Sequence, residues 1–236
     1  MIGRAMRLLF SALLVACLVS PATARDPIYL TLGQVDFSRI LPPPPRDDSS
    51  EAAMELAELH ALASDSTPDR MAQAAYDDRN ETMAIYKDVL GADLSAFPKL
   101  DALFDDIQND RRAATDRAKD FFKRRRPVVR DPSIKTCGTY RDPLSSYPSG
   151  HAAWGFASGT ILAAMVPGKA TEILARSRDF AQSRLVCGMH FRSDVVAGQV
   201  LGTVVAERLM NNPDFRARMA EAAAELKSAL ENAGKP

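Results

Sequence analysis

Three short stretches of this chain hold most of the side chains that can do chemistry. The first runs from Lys119 to Pro127 and carries Lys119, Lys123, Arg124, Arg125 and Arg126, with Arg117 and Arg130 on its flanks. The second is Tyr147, Pro148, Ser149, Gly150 and His151. The third begins at Ser183 and Arg184, passes through Cys187, Gly188 and His190, and ends at Asp194. A basic run of this density is either a solvated face or an anion site, because Lys and Arg give charge-assisted donors to phosphate oxygens. Ser149 and Gly150 stand just before a helical pattern. A helix N-terminus offers free N–H groups and partial positive charge, and Gly lets a ligand approach the backbone closely. The same pair is equally an ordinary N-cap Ser followed by a turn Gly.

The chain has three histidines. His60 falls in an amphipathic helical pattern with no polar company and reads as structural. His151 and His190 each stand next to an anion-binding element. His190 and Asp194 are four residues apart, so they can touch within one helical turn. A carboxylate bonded to one ring nitrogen fixes the tautomer and leaves the other nitrogen as nucleophile or base. A metal pair at the same spacing is the alternative. The cationic surroundings and the lack of an evident third ligand argue against it, so neither a metal nor another cofactor is expected.

Taken together, the spacing is Lys119, six residues, Arg126, Pro127; then Pro148, Ser149, Gly150, His151; then Ser183, Arg184, five residues, His190, three residues, Asp194. This resembles the three-part signature of the phosphatidic acid phosphatase type 2 superfamily, which includes the vanadium haloperoxidases, and all eleven specified positions match in order. The run Leu41 to Pro45, the Ala118–Lys119 entry, Ser146–Tyr147 and Cys187–Gly188 are similar to the bacterial class A non-specific acid phosphatases. That similarity spans about residues 28 to 210 and is least clear over 46–96. The resemblance implies that His190 attacks phosphorus and forms phosphohistidine, with Asp194 orienting its ring. His151 would protonate the leaving alkoxide and then activate water. Lys119, Arg126, Ser149, Gly150 and Arg184 would cradle the phosphate. It implies a small phosphomonoester as substrate, phosphate or vanadate as inhibitor, an optimum on the acid side of neutral, and a homo-oligomer. The same site would also serve a phosphotransferase, a lipid-phosphate phosphatase or, with less support from this chain's length, a vanadate-dependent haloperoxidase.

The rest of the sequence must position these residues. With 236 residues, 46% of them apolar, the chain is long enough for a sizeable core. Its Lys and Arg equal its Asp and Glu at 30 each, which gives no general reason for a nucleic acid partner. Arg4 and Arg7, an apolar run from Leu8 to Ser20 and Ala22-Thr23-Ala24 read as a signal peptide over 1–24, cleaved after Ala24, which predicts a periplasmic or secreted protein. Leu14 to Cys17 also resembles a lipobox, with a lipid anchor on Cys17 as the alternative. Removing the leader leaves Cys137 and Cys187. In an oxidising compartment they are a candidate disulfide, two buried free thiols being the alternative.

Residues 25–48 read as an extended proline-rich arm, either a flexible linker or a segment lying on the domain, because Pro42 to Pro45 have fixed φ and no N–H. Residues 49–236 read as one all-α domain. Helical spacing is predicted from Ser49 with Ala53, Leu56, Leu59 and Leu62 on a face, over Arg70 to Leu90, and from Pro98 to Pro127 with Leu100, Leu103, Phe104, Ile107, Ala114, Ala118, Phe121 and Phe122. Residues 128–147 read as loop. Two runs, 151–166 and 194–210, are apolar on most sides yet too short to span a bilayer, so they are predicted at the centre of the bundle, with no transmembrane span in the mature chain. Pro213 opens a last amphipathic helix. No segment alternates like a strand, so the expected class is an all-α compact helical bundle.

Overall fold

The computed structural model describes residues 26–33 and 35–233. The predicted leader, with Cys17 and Ala24, lies outside them. The helices are α1 (Phe37–Ile40), α2 (Ser50–Asp65), α3 (Pro68–Arg79), α4 (Lys87–Leu90), α5 (Pro98–Phe122), α6 (Pro127–Arg130), α7 (Gly150–Met165), α8 (Ala170–Val186), α9 (Arg192–Asn211) and α10 (Pro213–Ala233). There is no strand among the described residues, so the fold is all-α. No described helix is long and apolar enough to cross a membrane.

The apolar α7 is the hub, and α9, α8 and α5 pack against it. Small residues allow this. A Cβ on Gly198 would fall 2.4 Å from the Ser149 carbonyl oxygen, and one on Gly202 would fall 2.3 Å from that of Ala153. Any larger residue at those two positions of α9 would push it off α7. The outer helices bury one stripe each. On α10, Phe215 and Leu226 are essentially fully buried, and burying a side chain of that size stabilises by about 1.5–3 kcal/mol.

The proline-rich arm lies on the domain. Leu30, Val35, Phe37 and Leu41 join the main core. The N–H groups of Tyr29 and Leu30 donate to Asp110 of α5 at 2.8 and 2.9 Å, and the Tyr147 hydroxyl donates to the Pro42 carbonyl.

Several local expectations change. Arg70 to Leu90 is not one helix: α3 stops at Arg79, and a 3-10 turn over Met83–Tyr86 leads into the single turn α4. Asn80 and Thr82 break the run, the latter accepting the Ala84 N–H as a cap. Helix α8 is absent from the sequence reading, because Ser177, Ser183 and Arg184 interrupt the apolar positions Ile173, Phe180, Ala181 and Leu185 on its buried face. On α2 the predicted Leu56, Leu59 and Leu62 do face the core, while Ala53 is exposed and Ala52 and Glu55 are inward instead; Glu55 is inward because it has an ionic partner there. Helix α5 ends at Phe122, with Lys123 left-handed at φ 48°, and Phe121 is exposed. His60 does have polar company: its Nε2 lies 2.8 Å from Asp131 Oδ2 on the surface.

A disulfide joins Cys137 to Cys187, with Cα atoms 4.9 Å apart. It ties the loop after α6 to the turn that follows α8. Gly188 forms that turn at φ +61°, and a Cβ there would meet Ile134 and the Lys135 carbonyl at 2.7 Å. Two residues further on stands His190.

Candidate active site

The three stretches converge at the N-terminal ends of α7 and α9. Ser149 caps α7, its hydroxyl accepting the Ala152 N–H at 3.4 Å, and its own N–H donates to the Asp194 carbonyl at 2.9 Å. Gly150 is the first residue of α7. The cap and anion-site readings of this pair are therefore compatible, since the capped helix start faces the cationic groups.

His190 is 2% exposed. Its Nε2 lies 3.3 Å from Arg126 Nη1. A guanidinium has no acceptor, so this contact fits the tautomer in which Nε2 is bare and Nδ1 carries the proton. Nδ1 faces Asp194 Oδ2 at 3.5 Å, an ionic neighbour at a distance too long for a well-formed hydrogen bond. Burial and the Arg126 charge hold the His190 pKa well below its ordinary value, against the opposing pull of Asp194.

Asp194 is fully buried and well partnered. It accepts from Arg124 Nη1 and Ser146 Oγ, each at 2.6 Å, and from the Phe191 N–H at 2.8 Å. Burial alone would raise its pKa, but His190, Arg124 and Ser146 together hold it at about 2. Arg124 in turn donates to Glu55 at 2.6 Å.

Arg126 is fixed by donation to the Met189 carbonyl at 3.0 Å and to Ser145. Burial and the neighbouring Arg184 lower its pKa to about 10. Arg184 is 1% exposed and pairs with Asp78 Oδ1 at 2.6 Å. Burial first, then Arg126, lowers Lys119 to about 8. His151 is partly buried; its Nε2 lies 3.1 Å from the Asp78 carbonyl, its Nδ1 lies 3.9 Å from Glu81, and its ring stacks on Phe180. Burial and Arg184 bring it down to about 4, against Glu81 and Asp78. Every predicted site residue thus belongs to this one cluster, with Cys137 and Cys187 bracing its edge. Ser183, the remaining residue of the third stretch, turns away and donates to the buried Asp77.

The basic run divides between both of its readings. Lys119 and Arg126 enter the site, Arg124 supports Asp194, Arg125 and Arg130 pair with Asp47, and Arg117 is exposed. No group of three or more His, Cys, Asp or Glu among the described residues is placed to hold a metal ion. A cavity of about 520 Å³ opens elsewhere, between the end of α7 and α10, and holds none of these side chains.

The PAP2 superfamily profile matches residues 112–217, which contain all three stretches. A non-specific acid phosphatase of Salmonella typhi is 34% identical over 233 residues, covering 93% of this chain and 91% of that protein. An acid phosphatase of Zymomonas mobilis is 32% identical over 206 residues, covering 83% and 77%. The chain belongs to the PAP2 superfamily. Around this PAP2 motif stand residues that sequence reasoning missed: Asp78, Glu81 and Glu55, from the segment 46–96, contact Arg184, His151 and Arg124, and Arg111 of α5 borders Gly150. A single signal pointed to one of them. Arg111, Thr115 and Lys119 recur every four residues and share a face of α5.

Proposed function

We propose that this PAP2 member is an acid phosphatase that hydrolyses phosphomonoesters of broad structure, without a metal ion, through a phosphohistidine on His190. The observation that carries the reading is the His190 ring, with Nε2 beside Arg126 and its cationic neighbours and the buried Asp194 carboxylate behind Nδ1. In the first step Nε2 attacks phosphorus, the P–O ester bond breaks, and the electron pair leaves on the alkoxide oxygen, which takes a proton from His151. In the second, His151 takes a proton from water, the water oxygen attacks phosphorus, and the P–N bond breaks to release phosphate and free His190. Lys119, Arg126, Arg184 and the start of α7 bear the charge spread over the non-bridging oxygens, which is most of what phosphoryl transfer requires of a protein.

The pH preference follows from the same groups. His190 has its pKa depressed, so it stays unprotonated in mild acid. His151 is near 4 without ligand; a phosphate dianion beside it favours the imidazolium and raises that value. The optimum lies on the acid side of neutral, and loss of the His151 proton forms the alkaline limb.

The test is hydrolysis of p-nitrophenyl phosphate in EDTA by the wild type, His190→Ala and His151→Ala. Wild type works in chelator and is inhibited by vanadate, His190→Ala is inactive, and His151→Ala loses about 10²–10⁴-fold. Activity abolished by EDTA, or a monotonic rise of kcat/KM to pH 9, overturns the reading.

A further inference from the structure

Arg111 lies on α5, outside the motif, with its side chain 4% exposed. Nη2 donates to Glu81 Oε1 at 2.9 Å and to the Gln108 side chain. Nε has no partner among the described residues. The remaining nitrogen borders the first turn of α7. A Cβ built on Gly150 would lie 3.2 Å from Arg111 Nη1 and 3.6 Å from Lys119 Nζ. Two cations thus close on the α-carbon of Gly150, at the N-terminus of α7, where any larger residue would crowd them.

A purely structural ion pair with Glu81 does not account for this direction. Burying a guanidinium requires a partner, and Glu81 satisfies that requirement through Nη2. Nothing in that pairing calls for Nη1 to sit beside Lys119 at the positive end of a helix, where like charges repel. The repulsion is visible at Lys119, whose lowered pKa has Arg111 among its causes after burial and Arg126. An anion bound beside them would attract both cations and the helix N-terminus, and so offset this repulsion.

We propose that Arg111 is a further phosphate-binding residue, donating from Nη1 to a non-bridging oxygen of the reacting phosphoryl group beside Lys119. This rests on the acid phosphatase reading. It adds a cation on the side of the cradle where Glu81 also faces His151, at 3.9 Å.

The experiment measures the dissociation constants of inorganic phosphate and of pyrophosphate by calorimetry at pH 6, on the full protein. It compares wild type with Arg111→Met and with the double variant Arg111→Met/Glu81→Met, which leaves no stranded carboxylate if the single variant misfolds. One charge-assisted hydrogen bond corresponds to about tenfold or more in affinity. Orthophosphate binding is expected to weaken by that factor in whichever variant unfolds cooperatively. Orthophosphate affinity within about twofold of wild type overturns the proposal. A loss confined to pyrophosphate also overturns it, because Arg111 would then serve a second phosphoryl group. Binding needs no turnover, so a wild type that binds phosphate without hydrolysing esters refutes the acid phosphatase reading and leaves the Arg111 comparison readable.

Discussion

Replacing Asp194 by Asn keeps the side chain's size and removes its charge. Oδ1 faces the Arg124 guanidinium, and Oδ2 faces the Ser146 hydroxyl and the Phe191 N–H. Guanidinium and peptide N–H groups only donate, so either orientation of the amide sets its NH₂ against a donor. Arg124, with its side chain 3% exposed, keeps Glu55 and loses the second of its two carboxylates. Breaking a buried ion pair from one side costs about 3–5 kcal/mol, on the order of 10 °C in Tm for a chain of this size. The Asp194 pKa of about 2, against 3.8 for an ordinary Asp, gives a smaller figure of roughly 2 kcal/mol for the ionised over the protonated carboxyl, which can rotate its proton to an acceptor as the amide cannot. A depressed carboxyl pKa stabilises the fold fully above pH 3.8, and that contribution is lost as the pH falls towards 2. The Tm gap between wild type and Asp194→Asn should therefore be widest near pH 6 and narrow below pH 4. Thermal unfolding followed by circular dichroism reads this, with Ser146→Ala as the control that loses one hydroxyl bond, about 1 kcal/mol. An Asn variant no less stable than Ser146→Ala, or a gap that does not shrink in acid, would refute the reasoning.

Two further outcomes are expected. Lys119 has a pKa of about 8 in the ligand-free site, lowered first by burial and then by Arg126, so its charge is lost as the pH rises through 8. Phosphate inhibition should weaken above that pH in wild type but hold in Lys119→Arg, and an equal pH slope in both would contradict this. Reducing the Cys137–Cys187 bond opens a loop of 50 residues, worth roughly 4 kcal/mol in chain entropy. A Tm unchanged by reductant, with both thiols shown to be free, would contradict that.

The site was legible where its chemistry is written in fixed spacing. Lys119 with Arg126, Ser149 with Gly150, and His190 with Asp194 are held by a helix end and the short connection after it, a helix start and a turn, so local sequence carries their geometry. The apolar runs that became α7 and α9 were legible for the same reason. What escaped was non-local. Asp78 and Arg184 are 106 residues apart, and Glu55 and Arg124 are 69 apart, and no periodicity announces such pairs. Helix α8 escaped because the face it buries carries Ser177, Ser183 and Arg184, residues that are inside only because Asp77, Asp78 and Tyr86 meet them there.

The most direct test of the phosphohistidine is to trap it. Wild type mixed with a phosphomonoester labelled in its phosphoryl group is quenched in alkali during turnover, and the labelled peptide is identified by mass spectrometry. The account predicts phosphate on His190, released on brief acid treatment and absent from His190→Ala. Label on another residue, or turnover in His190→Ala at the wild-type rate, would contradict it.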